Sequence, residues 1–134
     1  MVTYNKTPLS YIDSIADFVS ASEGNIDKQT VESFGKEWNK YSQFSNEELN
    51  QIGAQYFDIV SDKMANANSF VLDIGCGTGR WAKYLSSRVR FIEAIDPSEA
   101  VVAAKAFTAE CENIRITKAG IDNIPFADES FDFI

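Results

Sequence analysis

The chain has no histidine, only two cysteines and three prolines in 134 residues, and fewer basic side chains (12) than acidic ones (20). Without His, neither Ser-His-Asp nor Cys-His catalysis is available, nor any His-ligated zinc site. Cys76 and Cys111 lie too far apart for a CxxC redox pair or a metal knuckle, and a single disulfide would not make a small secreted scaffold. No metal site is expected, and a reducing cytoplasm suits this cysteine usage. The formal net charge of -8 disfavours nucleic acid as a partner, because that binding relies on Lys and Arg neutralising phosphates. No run approaches the roughly 18 consecutive apolar residues of a membrane span, and the first residues lack the basic-then-apolar layout of a signal peptide. The expectation is therefore a soluble, unexported chain with no membrane partner.

What is present suits one globular domain, or part of one: 45 % of residues are apolar, enough to form one core. The pattern changes near residues 65–68. Before it, the chain reads as helical. Leu9, Ile12, Ile15, Ala16 and Val19 recur at helical spacing over residues 8–20, residues 22–29 read as a loop, and a short helix is expected over residues 31–41. Ser45-Asn46-Glu47-Glu48 is a capping box that should start a further helix, with Leu49, Ile52, Tyr56, Ile59, Val60 and Met64 along its core-facing side and Asn66 and Asn68 ending it. Trp38, Tyr41 and Phe44 read as core or lid packing.

After the change, strands and helices alternate. Residues 70–74 form a short apolar run that stops at glycines, as a buried parallel strand does, and residues 79–87 follow as a helix with Trp81, Ala82 and Leu85 inward. Residues 90–95 are a second strand. Asp96 is expected as the cap of the next helix, with Pro97 at its first position and Glu99 completing the box. Residues 114–117 are a third strand, the Asp128-Glu129 pair a solvated turn, and residues 131–134 the start of a fourth strand. This order predicts an α/β fold with a Rossmann-like parallel sheet, in which residues 1–66 form a helical cap region and residues 67–134 the ligand-binding region. Ligands of such sheets bind outside the carboxyl ends of the strands. There the sequence places Asp73 to Gly79, Asp96, and the loop from Ala119 to Asp122.

Three alternating glycines, Gly75, Gly77 and Gly79, let the backbone turn tightly and let a ligand approach main-chain atoms. A glycine loop alone is unspecific. Asp73 sharpens it, because a carboxylate inside the strand is unwelcome beside a phosphate and calls for a cationic or hydrogen-donating group. Asp96 ends the second strand about twenty positions after Gly75, where a carboxylate can grip ribose hydroxyls. A nucleoside carrying a cation meets both demands.

On these residues the chain resembles the N-terminal half of a class I, Rossmann-like S-adenosylmethionine-dependent methyltransferase. Residues 71–85, VLDIGCGTGRWAKYL, are similar to that family's first motif and Ile95-Asp96-Pro97-Ser98 to its second. Ile124-Pro125-Phe126 through Ser130-Phe131-Asp132 resembles the run into its fourth strand. The resemblance implies S-adenosylmethionine as cofactor, with Asp73 facing its methionine amino end. Gly75, Cys76, Gly77 and Gly79 would form the close-approach loop, and Asp96 with Pro97 would lie at the ribose. Where many relatives place an acid for the adenine amino group, this chain has Gly120, then Ile121 and Asp122. Either Asp122 substitutes after a one-residue shift, or the Ile121 N–H alone reads the ring. Phe34-Gly35-Lys36-Glu37-Trp38 looks like the N-terminal segment of some methyltransferases acting on glycans or small metabolites, so a small-molecule or glycan-type acceptor is expected. No catalytic residue is identifiable. The resemblance also implies a truncated fold, with possible self-association through an exposed sheet edge.

Two other readings compete. Gly77 to Ala82 formally matches G-x-G-x-x-A of a nicotinamide-dependent oxidoreductase, but in that register Asp73 sits close to the pyrophosphate. The chain could also bind cofactor without turnover. Radical S-adenosylmethionine chemistry needs three cluster cysteines, and the chain has two.

Overall fold

The sheet is assembled from strands that differ in what they bury. A computed structural model describes residues 2–19 and 45–134. In chain order the elements are β1 (Ser10–Ile12), β2 (Ile15–Asp17), α1 (Asn46–Tyr56), β3 (Phe70–Ile74), α2 (Arg80–Leu85), β4 (Phe91–Asp96), α3 (Ala100–Phe107), β5 (Ile114–Lys118) and a 3-10 turn, Ile121–Asn123. The five strands lie in the order β1-β2-β5-β4-β3. β3, β4 and β5 run parallel, as the strand–helix alternation predicts, and Phe133 makes a parallel bridge to Val71 on the free side of β3. This bridge is the start of the fourth strand expected from residues 131–134. The fold is α/β and Rossmann-like.

Alternation along the strands separates two cores. Val71, Ile92, Ala94 and Ile116 face α1, α2 and α3, while Leu72, Phe91 and Ile95 face Val2, Phe18 and Phe126 across the other side of the sheet. The packing of α2 on α3 needs Gly79, which sits at φ 80°. A Cβ there would lie 3.1 Å from the Thr108 methyl and 3.3 Å from Ala104 Cβ.

Three expectations are corrected. Residues 8–20 are not a helix: Asp13 and Ser14, both at positive φ, turn the chain into the β1–β2 hairpin, and β2 pairs parallel with β5. The apolar residues Ile15, Ala16 and Phe18 satisfy a strand that is buried on both faces as well as they satisfy a helix. The helix begun by the capping box, which forms as expected, ends at Tyr56. Its docked positions are Leu49, Gly53 and Phe57, spaced four apart, whereas Ile59 is 80 % and Met64 52 % exposed. Gly53 rests against the Tyr84 ring, so close that a Cβ would come within 2.3 Å of it. Asp96 does not cap α3. Its Oδ1 accepts from the Ser98 N–H at 2.8 Å and the Ser98 hydroxyl at 2.6 Å, and Ser98 Oγ in turn accepts from the Ala100 N–H. The loop expected at residues 22–29, the helix at 31–41, the Phe34 to Trp38 stretch and Trp38, Tyr41 and Phe44 lie outside the described residues. No helix among the described residues is long and apolar enough to cross a membrane.

Candidate functional site

The glycine loop is fixed from below by β4. The N–H groups of Gly75 and Cys76 both donate to the Ile95 carbonyl, at 2.8 and 2.9 Å, and the Gly77 N–H donates to Asp96 Oδ2 at 3.0 Å. Gly75 and Gly77 take φ values of 75° and 54°, which L side chains rarely adopt. The space a Cβ would enter at Gly75 is open, with nothing within 4 Å. Gly75 is therefore the point where a ligand can meet bare backbone, while Gly79 on its Cα side meets α3.

Asp73 stands at this opening, on the face of β3 that looks toward the helices. Its Oδ2 is buried and has no hydrogen-bond partner among the described residues. Burial, reinforced by the charge of Asp96, raises its pKa to about 6. An orphaned buried carboxylate oxygen costs folding free energy unless a ligand supplies a donor, preferably a cation. Asp96 is already bonded to Gly77 and Ser98, so it holds the loop's shape and retains a lone pair on Oδ2 for a further donor. Pro97 follows it, half-buried. Cys76 is buried, and burial pushes its thiol well up, which leaves it un-ionised and unsuited to nucleophilic work.

Beside Asp73 runs a groove of about 400 Å³, bordered by Gly75, Cys76, Arg80, Phe133 and an aromatic wall. In that wall Tyr56 stacks on Trp81 at 4.6 Å and 11°, and Phe57 meets Trp81 edge-on at 5.6 Å. Arg80 lies over the Trp81 ring, 4.7 Å from its centre. Sequence reasoning treated Tyr56 and Trp81 as core residues. What it missed is that a helix ending at Tyr56 leaves that ring on the rim.

At the other end of the sheet edge, β5 runs into the 3-10 turn. The Ala119 N–H donates to the Asp96 carbonyl at 3.1 Å, which sets this turn next to Asp96. Ile121 is 73 % exposed and Asp122 is exposed as well, so both are presented to solvent, with Gly120 buried beneath. The structure thus brings Asp73, the glycines, Asp96 and the 120–122 turn to one edge, at the carboxyl ends of three adjacent parallel strands. Among the described residues no group of His, Cys, Asp and Glu could hold a metal ion.

The fully buried carboxyl of Glu93 was not anticipated as anything but part of a strand. Glu93 is 0 % exposed, ion-paired to Arg115 at 2.7 Å and hydrogen-bonded by Thr117. Burial raises its pKa to about 7, against the lowering by Thr117 and Arg115. An acid in mid-strand with an Arg and a Thr in the next strand was the available signal.

The methyltransferase domain family matches residues 71–134. An uncharacterized methyltransferase of Staphylococcus carnosus is 33 % identical over 89 residues, which cover 66 % of this chain and 41 % of that protein. Among solved structures, the YcgJ protein from Bacillus subtilis superposes with a TM-score of 0.54 at 28 % identity, covering 60 % of this chain and 35 % of its own. The phosphoethanolamine N-methyltransferase 1 of Haemonchus contortus, solved with phosphoethanolamine and S-adenosylhomocysteine, shares the fold, with a TM-score of 0.55 at 22 % identity over 84 % of this chain and 26 % of that one. The chain thus spans less than half the length of each of these proteins.

Proposed function

We propose, on the premise that residues 71–134 belong to the class I, Rossmann-like methyltransferase family, that the chain binds S-adenosylmethionine and supports methyl transfer to a small-molecule or glycan-type acceptor. The observation that carries this reading is the orphaned Asp73 Oδ2 beside the open space over Gly75. An α-ammonium group supplies the missing donor and the positive charge, and the absence of a Cβ admits the ligand's main body to the loop. Residues and cofactor therefore fit. Asp73 would hold the amino end, Gly75, Cys76 and Gly77 the middle, and Asp96 with Pro97 the ribose. Ile121 and Asp122 would stand at the adenine.

When bound, the cofactor supplies a methyl group already activated by the positive sulfonium. The chain's own task is then alignment for in-line displacement rather than acid–base chemistry, which suits a protein without His. The glycine loop, pinned to Ile95 and Asp96, gives that alignment a fixed frame. The groove walled by Tyr56, Phe57 and Trp81 opens beside Asp73 and offers an apolar face to an acceptor. Residues 1–66, where the cap region was expected, supply the Tyr56 and Phe57 part of that wall. A small-molecule partner suits this groove and the net charge of -8. The cytoplasm remains the compartment that best suits the cysteine usage.

Isothermal titration with S-adenosylmethionine and S-adenosylhomocysteine tests the cofactor reading; absence of heat and of any thermal shift with both ligands contradicts it. Enhanced NADH fluorescence on adding protein would favour the oxidoreductase alternative. Binding without transfer of label from S-adenosylmethionine to any acceptor in a broad panel would leave a cofactor-binding chain without turnover.

A further inference from the structure

The turn that carries Ile121 and Asp122 is held by something other than those two residues. Both are exposed, so their own packing cannot set where they stand. From Asn123 onward the turn is tied to the beginning of the chain. The Asn5 N–H donates to the Pro125 carbonyl at 3.0 Å, Lys6 Nζ donates to Asn123 Oδ1, and the Tyr4 ring stacks on Phe126 at 5.6 Å.

The same short segment is anchored on the sheet. The Tyr4 hydroxyl pairs with Thr117 Oγ1 at 2.7 Å, and Arg115 donates to the Val2 carbonyl at 2.9 Å while its guanidinium lies 4.3 Å from the Tyr4 ring centre. Arg115 and Thr117 are in turn fixed by buried Glu93. Residues 2–6 thus form a strap with one end on a rigid, buried polar network and the other on an exposed turn.

We propose that this strap is a positioning device for the adenine end of the cofactor site, with Tyr4 and Lys6 as positioning residues that set the 121–125 segment at a fixed height above the edge of β5. The proposal rests on the assignment of Ile121 and Asp122 to the adenine ring. Neither Tyr4 nor Lys6 touches the ligand. They act by restricting where the Ile121 N–H and the Asp122 carboxylate can stand, and so how sharply the site tells a ring amino group from a ring carbonyl.

The test compares S-adenosylhomocysteine with S-inosylhomocysteine, which differ in the ring's amino or carbonyl group and in the hydrogen that the carbonyl form carries on the adjacent ring nitrogen, by equilibrium titration at matched folded fractions. The wild-type chain should prefer the adenine ligand. Lys6→Ala, an exposed change that leaves the core intact, and Tyr4→Ala should each lower that preference by roughly three- to thirtyfold, the range of energetic coupling through packed and hydrogen-bonded neighbours. Lys6→Arg, which keeps a donor for Asn123, should retain it. A purely structural strap would lower the melting temperature and leave the preference ratio unmoved. An unchanged ratio in Lys6→Ala overturns the proposal while the cofactor assignment stands, and so does a wild type that binds both ligands equally. A wild type that binds neither overturns the cofactor assignment and the strap with it.

Discussion

Under the proposed assignment, Asp73 carries opposite signs for folding and for binding. Its carboxyl pKa is raised to about 6 by burial and then by Asp96, against an ordinary value of 3.8. Keeping it ionised in the folded chain without a partner therefore costs up to about 3 kcal/mol. Asp73→Asn should accordingly stabilise the ligand-free protein at pH 7.5 by about 1 to 3 kcal/mol, with the gain vanishing near pH 4, as followed by urea unfolding at both pH values. Equal unfolding of both forms at pH 7.5 would show that the carboxylate already has a partner. On the proposed contact with an ammonium group the binding-competent form is the carboxylate, so affinity for S-adenosylhomocysteine should fall as the pH drops below about 6, by about tenfold per unit. A flat affinity from pH 7 to 5 would remove Asp73 from the ammonium contact. Asp96 behaves differently because Gly77 and Ser98 already bond to it. Asp96→Ala should weaken cofactor binding by about 1 to 3 kcal/mol and also destabilise the empty chain by about 2 kcal/mol. Loss of binding with an unchanged melting temperature would mean that the loop is anchored elsewhere.

Among the elements, α1 shows how a glycine can decide a helix's docking. Helix propensity alone favours Gly53→Ala by about 1 kcal/mol. A Cβ there would stand 2.3 Å from the Tyr84 ring, so α1 would have to lift from α2, at a cost of about 1 to 3 kcal/mol. The overlap should win, and Gly53→Ala should lower stability and disturb the groove wall formed by Tyr56 and Phe57; an increase in stability would contradict this docking. The same position explains what could and could not be read from the sequence. The capping box at Ser45 was legible because its chemistry is local. The docked face was not, since a hydrophobicity pattern gives no weight to Gly53 and full weight to the exposed Ile59. β3, β4, β5 and the glycine loop were legible because a buried parallel strand needs a continuous apolar run and the loop needs its glycines. The β1–β2 hairpin was illegible for a related reason. Its strands are three residues each, too short for period two to outvote period three to four, and its turn uses Asp13 and Ser14 at positive φ rather than glycine.

For the molecule as a whole, the two carboxyls with raised pKa values among the described residues, Asp73 and Glu93, act against the usual acid response. The contribution of Glu93 is fully present below its ordinary pH of 4.5 and lost as the pH rises through about 7, and that of Asp73 is present below 3.8 and lost through about 6. Ligand-free stability should therefore decline between about pH 4 and 7, and the net charge of -8 adds self-repulsion in the same direction. Glu93→Gln should flatten the upper part of that decline. A stability that instead climbs steadily to pH 7 would mean that Glu93 is ionised and fully compensated by Arg115. Ligand binding should reverse the part due to Asp73, since a bound ammonium group makes the carboxylate the favoured form. The central claim is that the edge formed by β3, β4 and β5 is a cofactor site keyed by one orphaned carboxylate. Its most direct test is calorimetric titration of the wild-type chain and of Asp73→Asn with S-adenosylhomocysteine at pH 7.5. The account predicts one site per wild-type chain and binding roughly ten- to a hundredfold weaker in a variant that remains folded, as expected for loss of a charge-assisted hydrogen bond. Equal affinity in the two proteins, or no binding by the folded wild type, would contradict it.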